Sequence, residues 1–236
     1  MQRRMFCIFL LVFSVLSLIS CASNASSTQT QGHQSQTPAT TTTAVQPSPT
    51  VPSVPKGTVL YRADWSHGLD GWHGPKAWTT AGGQLVTTSL TNTSIVVPYR
   101  PTVANYAIEA RVQFAQMLVN IHNGFIISAD SQPGKDGYEA QVYQLALRGA
   151  GMAPPGYIDI ATDKLIISTF EQHDYQPGDS WHTYRIEVMG DQATLFVDGT
   201  QNSVSVTQED AISNGPISLS SWGFDLRVSS FVITAL

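Results

Sequence analysis

Cysteine is scarce in this chain, with two in 236 residues. A pair cannot build a disulfide framework, and alone it cannot supply the four ligands of a thiolate zinc site. Charge is scarce too. Asp, Glu, Lys and Arg make up 12% of the chain, about half the usual quarter. Twelve basic residues against seventeen acidic ones leave −5. That is the wrong sign for a protein that must neutralise phosphates, so no nucleic-acid partner is expected. No apolar run reaches the roughly 20 residues of a membrane-crossing helix, and no window carries the period of a long amphipathic helix. No repeat of roughly 20–50 residues appears, which argues against a propeller. A Gly-x-Ser-x-Gly nucleophile elbow is also absent.

What is present is unevenly spread. Residues 1–55 hold two charged groups, Arg3 and Arg4, and every acid lies from Asp64 onward. From Lys56 there are ten basic and seventeen acidic residues, a balance of −7. Residues 1–20 have the layout of a signal peptide, with Arg3-Arg4 ahead of a 15-residue apolar run, Met5 to Ile19. The run ends in Leu18-Ile19-Ser20-Cys21, which resembles the bacterial lipoprotein box. That resemblance implies cleavage before Cys21 and lipid on its thiol. Cys7 leaves with the peptide, so the mature domain is expected to have no thiol and no disulfide. The alternatives are an ordinary secretory peptide or an uncleaved anchor, with Cys21 incidental. Residues 21–57 form the second piece. Of the 34 residues from Ala22 to Pro55, 24 are Ser, Thr, Gln or Pro, and none is charged or aromatic. Such a segment buries too little apolar surface to offset chain entropy, so the sequence predicts a disordered tether. It would span about 30 Å, and more where proline stiffens it. The expected location is the outer side of the cell membrane, held there by lipid.

The third piece, residues 58–236, carries a period of two. Tyr106, Ile108, Ala110, Val112 and Phe114 alternate with Glu109, Arg111 and Gln113, as in a half-buried antiparallel strand. Tyr184 to Val188 repeats the pattern, and Gly190-Asp191 and Asp198-Gly199 are hairpin chemistry. About a dozen such segments occur, among them 84–89, 105–115, 137–147, 156–161, 164–170, 181–190 and 224–234. Gln208 to Ile212 could add one helical turn. This predicts an all-β, antiparallel sandwich of jelly-roll type, larger than an immunoglobulin domain.

Several motifs carry a resemblance. The domain opens with Leu60-Tyr61-Arg62-Ala63-Asp64-Trp65-Ser66 and Leu69-Asp70-Gly71-Trp72, followed by Trp78 and Gly82-Gly83-Gln84-Leu85-Val86. Asn123-Gly124-Phe125-Ile126-Ile127 and Gly137-Tyr138-Glu139-Ala140-Gln141-Val142 follow. Then come Trp181 to Val188, Leu195 to Gly199, and a close from Gly215 to Ile233. Together these resemble the concanavalin A-like lectin/glucanase domains of the 3-keto-disaccharide hydrolase family. The chain departs from that family in two places. Ser128 stands where an arginine usually ends the aliphatic strand. Tyr143 and Gln144 stand where the Tyr-Glu-x-Gln strand usually reaches an aspartate. The Glu-x-Asp-x-x-Glu spacing of retaining glucanases on this fold does not occur.

Three functions are compatible with this sequence: a lectin-like carbohydrate binder, a hydrolase acting on a modified (3-keto) disaccharide, or a cell-envelope module that binds protein. Glu139, Gln141 and Tyr143 share one strand face and are the leading ligand candidates, with Glu139 as acid/base if the domain is an enzyme. His122 and Asn123 begin the neighbouring strand. Arg148 ends the Glu139 strand and could clamp hydroxyls or a carboxylate. Trp72, in a Gly-flanked loop, and Trp222, in Ser221-Trp222-Gly223, could stack on a sugar. Trp65, Trp78 and Trp181 suit core or sheet-cover positions. No cofactor is expected. Calcium is the one ion considered, at the turn aspartates Asp130 with Asp136 or Asp159 with Asp163. A monomer is expected. Cys21→Ser should move the protein from the membrane fraction to the soluble fraction. Continued retention would identify an uncleaved anchor instead.

Overall fold

The computed structural model describes residues 54–118, 123–144, 156–162 and 173–236. Within it the alternation of Tyr106, Ile108, Ala110, Val112 and Phe114 becomes a buried stripe, none more than 3% exposed. In chain order the first strands are β1 (Val59–Arg62), β2 (Trp78–Ala81), β3 (Gln84–Ser89), β4 (Thr93–Val96) and β5 (Tyr106–Met117). Next are β6 (Asn123–Ala129), β7 (Lys135–Asp136), β8 (Tyr138–Gln144), β9 (Tyr157–Thr162) and β10 (His173–Asp174). The last are β11 (Trp181–Met189), β12 (Gln192–Val197), β13 (Thr200–Val206), β14 (Ala211–Ile212), β15 (Ile217–Trp222) and β16 (Phe224–Ala235).

Two antiparallel sheets form the domain. The larger runs β13-β12-β11-β5-β16-β3-β2, with β1 joined to the far end of β16. The smaller runs β10-β9-β8-β6-β15-β4. Their inner faces supply one core. Phe114, Tyr184, Phe224 and Phe231 come from the larger sheet, and Phe125, Ile127, Tyr138, Ile158 and Leu219 from the smaller. Phe114 meets Phe125 edge-on at 6.1 Å, joining the two layers. The Tyr106 and Tyr138 hydroxyls meet at 3.3 Å, and Tyr106 donates to the Ser213 carbonyl at 2.8 Å. The polar tips of both rings are therefore answered inside the core.

β16 shows how sequence sets register. Its buried residues are Phe224, Leu226 and Val228, then Phe231, Ile233 and Ala235. The parity changes after Val228. A bulge between Val228 and Ser230, measured against β5, inserts the extra residue that returns Phe231 to the inner face. At the β12–β13 hairpin Asp198 and Gly199 adopt φ of 49° and 81°. This is the left-handed pair that a tight two-residue turn needs.

Some expectations change. Gln208 to Ile212 is not a helical turn: bends lead into β14, which pairs in parallel with β7. There the Thr207 hydroxyl donates to the buried Asp136 carboxylate. β2, only four residues long, was not legible as a strand. The segment expected at 164–170 lies outside the described residues. Trp72 is not a loop platform for a ligand. It is 7% exposed and lies against Trp65 at 5.7 Å and Phe231 at 5.7 Å. Its indole N–H donates to the Tyr61 hydroxyl at 3.1 Å. Trp72→Ala should therefore cost about 3–5 kcal/mol of stability, read as a lowered urea midpoint. An unchanged midpoint would put the indole outside the core.

Candidate functional site

Residues directly opposite each other in an antiparallel ladder share a face. In the smaller sheet the inward set is apolar, so the outward set can be read from the register. One outward row is Trp222, Gly124, Tyr143, Tyr157 and Asp174, crossing β15, β6, β8, β9 and β10. The next is Ser220, Ile126, Gln141 and Asp159. The third is Ser218, Ser128, Glu139 and Ala161. Glu139, Gln141 and Tyr143 thus stand together on one outer face, as their spacing of two required.

The first row is aromatic. Tyr143 stacks on Tyr157 with centroids 4.9 Å apart, and Trp222 meets Tyr143 edge-on at 5.3 Å. Trp222 ends β15 rather than lying in a loop, and its ring crosses Gly124. A Cβ at position 124 would come within 2.2 Å of the indole. The missing side chain is what lets the ring lie down there. The three rings are half-buried, so each keeps an open face or edge. Beside them lies a hydroxyl surface, where Ser128 and Ser218 are bonded at 2.9 Å.

Asp159, expected in the strand at 156–161 and flanking a turn with Asp163, lies in the middle of β9, opposite Gln141, and is 0% exposed. Neither carboxylate oxygen has a hydrogen bond of full geometry, and the facing Gln141 amide is the donor that interacts with the carboxylate. Burial pushes its carboxyl up to about 6. The paired Gln141 amide draws it back in part, and the Glu139 charge adds to the rise. Tyr143 is pushed up to about 12, first by burial, then by the charges of Tyr157, Glu139 and Asp159. Burial and Asp159 also raise Tyr157. The arrangement offers partly open rings for stacking and the exposed Glu139 carboxylate, with the buried Gln141 amide and Asp159 carboxylate beneath them.

Other candidates fall elsewhere. Asn123 points to the inner side of β6 with Phe125 and is fully buried, so it does not face a ligand on the outer face. His122, Arg148, Cys21 and Asp163 lie outside the described residues. Trp65 and Trp78 are core residues, and Trp181 carries the Arg111 guanidinium over its ring at 5.1 Å. Asp130 and Asp136 do not form a calcium site by themselves, since Asp136 is 3% exposed and held by Thr207. Among the described residues no group of three His, Cys, Asp or Glu side chains could hold a metal ion. A hollow of about 370 Å³ lies on the larger sheet, lined by Val86, Thr88, Asp225 and Arg227. Its charges are already paired, at 3.7 Å, and no aromatic ring lines it.

Solved structures share this architecture at low identity. The carbohydrate recognition domain of Emp47p aligns with TM-score 0.53 and 11% identity, over 76% of this chain and 97% of that one. The family GH16 endo-β-1,3(4)-glucanase SCLam aligns with TM-score 0.53 and 12% identity, over 77% of this chain and 92% of that one. A family 16 glycosyl hydrolase from Mycobacterium smegmatis aligns with TM-score 0.52 and 9% identity, over 75% of this chain and all of that one. At such identities the likeness establishes the fold, a concanavalin A-like sandwich. No curated protein matches the sequence significantly. Residues 64–231, which include both sheets' central strands and the Glu139 face, match the 3-keto-alpha-glucoside-1,2-lyase-like domain, and the chain belongs to that family.

Proposed function

We propose that the protein is a lipid-anchored, extracytoplasmic carbohydrate-binding domain whose site is the outer face of the six-stranded sheet. The observation that carries this reading is the row Trp222–Tyr143–Tyr157 beside Glu139, Gln141 and Asp159. Sugars present C–H faces that stack on aromatic rings and hydroxyls that pair with amides and carboxylates. Both kinds of partner are adjacent here. The structural neighbours named for carbohydrate recognition and glucan hydrolysis support the same ligand class. The lipid on Cys21 and the tether at 21–57 would hold the domain at the outer side of the membrane on a flexible spacer.

A second reading, catalysis on a 3-keto disaccharide, is favoured by the family match and by the Glu139–Asp159 pair. Asp159, with its carboxyl raised to about 6, could hold a proton that Glu139 gives up. The Ser128 and Tyr143 departures leave this chain without the arginine and aspartate of the family pattern. Binding therefore remains the first reading.

A glycan array probed with the full chain tests both. Binding to at least one glycan is expected. Trp222→Ala should weaken it about tenfold by removing the stacking ring, and Glu139→Gln should weaken it while the far-UV spectrum is unchanged. Gly124→Ala should act like Trp222→Ala, because its methyl drives the indole off the sheet. Retained affinity in all three variants would move the site off this face. Release of a keto-sugar from a 3-keto disaccharide, abolished by Glu139→Gln, would establish the enzyme.

A further inference from the structure

A histidine with an acceptor at each ring nitrogen has one protonation state that satisfies both. In neutral imidazole one nitrogen donates and the other accepts, whereas in the imidazolium both donate. His182, near the start of β11, is in that position. Its Nδ1 lies 2.7 Å from Asp198 Oδ2, and its Nε2 lies 2.8 Å from the Pro177 carbonyl oxygen. Neither partner can donate, since a carbonyl has no proton and Asp198 is ionised. Burial alone would raise the Asp198 carboxyl. Bonds from the Thr183 amide, at 2.8 Å, and from His182 outweigh burial and hold it below the usual carboxylate range. The hairpin keeps that carboxylate in place. Asp198 adopts φ of 49° in the β12–β13 turn, and its amide donates to the Thr183 carbonyl at 2.9 Å.

The ring therefore joins two separate pieces of chain, the β12–β13 turn and the β10–β11 connection that carries Tyr175 and Pro177. Its other titratable neighbours are accounted for. The Tyr175 and Tyr184 rings lie 6.2 and 6.5 Å from it, with their hydroxyls bonded to each other at 2.8 Å. Burial pushes Tyr175 up to about 12 and raises Tyr184 as well, so both stay neutral below pH 9. On β5 the residue opposite His182 is Val112, and the Arg111 beside it is taken up by the Trp181 ring. Asp179, on the same connection, gives its carbonyl to Gln113. We propose that His182 is a pH-sensitive clamp, whose doubly protonated ring ties the β10–β11 connection to the β12–β13 turn. When the ring loses a proton, one tie goes. The charge-assisted bond to Asp198 is the stronger, so the tie to Pro177 is released. The freed segment begins three residues after Asp174, which stands opposite Tyr157 at the end of the aromatic row. The clamp is independent of the carbohydrate reading, and no sugar enters its test.

Asp198→Asn in the full chain separates the clamp from an ordinary hydrogen bond. The new amide can donate to Nδ1 while its oxygen still accepts from Thr183, so a neutral ring keeps its Nε2 proton for Pro177. Asn also tolerates the left-handed turn position. In the wild type the folded form holds the protonated ring by two bonds and the neutral ring by one, so stability is lost as pH rises. Between pH 6 and pH 9 the thermal midpoint should fall about 2 °C further in the wild type than in Asp198→Asn, a small difference because Asp198 is half-exposed. At pH 9 the Tyr175 amide, which donates to the Gly156 carbonyl at 2.7 Å, should exchange with solvent faster in the wild type than in the variant. Nitrogen-15 NMR of the wild type at pH 6 should find a proton on each His182 ring nitrogen, with the signals assigned by their loss in His182→Gln. That spectrum decides the matter if Asp198→Asn does not fold. An unprotonated His182 nitrogen at pH 6 overturns the clamp. So does a midpoint that shifts equally with pH in the two proteins, or less in the wild type. Equal exchange of the Tyr175 amide at pH 9 overturns the release of the connection.

Discussion

Everything in this domain depends on burying the inward side of two sheets against each other. The described domain contains no cysteine and holds no disulfide or metal cluster, so apolar contact between the layers must hold it closed. Phe125 meets Phe114 and Tyr184 edge-on across that interface, and Phe114 meets Tyr184 and Phe224 edge-on within the larger sheet. Because side chains alternate, committing one parity of each strand to this contact commits the other parity to the outside. The candidate site is the chemical content of that second set on six strands. The bulge in β16 shows how strictly the rule is kept: where the sequence breaks parity, the backbone takes an extra residue so that Phe231 still faces inward.

This explains which features were legible. Spacing within one strand is visible in a sequence, so Glu139, Gln141 and Tyr143 could be placed on one face before any fold was known. Placement between strands is not visible. Asp159 is 18 positions from Gln141, and only the β8–β9 register brings them opposite. Within its own segment, Tyr157-Ile158-Asp159-Ile160, nothing local shows that the acid is buried. Asn123 failed for a related reason. It begins a strand, where exposure is the usual expectation, but its parity puts it with Phe125 inside.

The tryptophans separate along the same line. Trp72 follows glycine in a polar stretch, which suits a loop platform, yet it anchors the chain entry against Phe231. Trp222 also precedes a glycine, and its neighbour across the ladder is Gly124. No local pattern distinguishes the two. What distinguishes them is whether the facing strand supplies an aromatic core or an empty position on the outer surface. The family pattern did identify the fold, because the motifs that carry it are the turns and inward residues. Its site residues did not all transfer, because Ser128 and Tyr143 lie in the outward set, which the core does not constrain.

β16 has one more consequence. It is the central strand of the larger sheet, bonded to β5 along nearly its whole length and also to β3 and β1. β1 lies near residue 60 and β16 begins at Phe224, so their pairing closes a loop of most of the domain. Such non-local closure is slow. During synthesis, β1, β3 and β5 have no central partner until the last of these strands has emerged. The nascent chain therefore stays open until translation has nearly finished this domain.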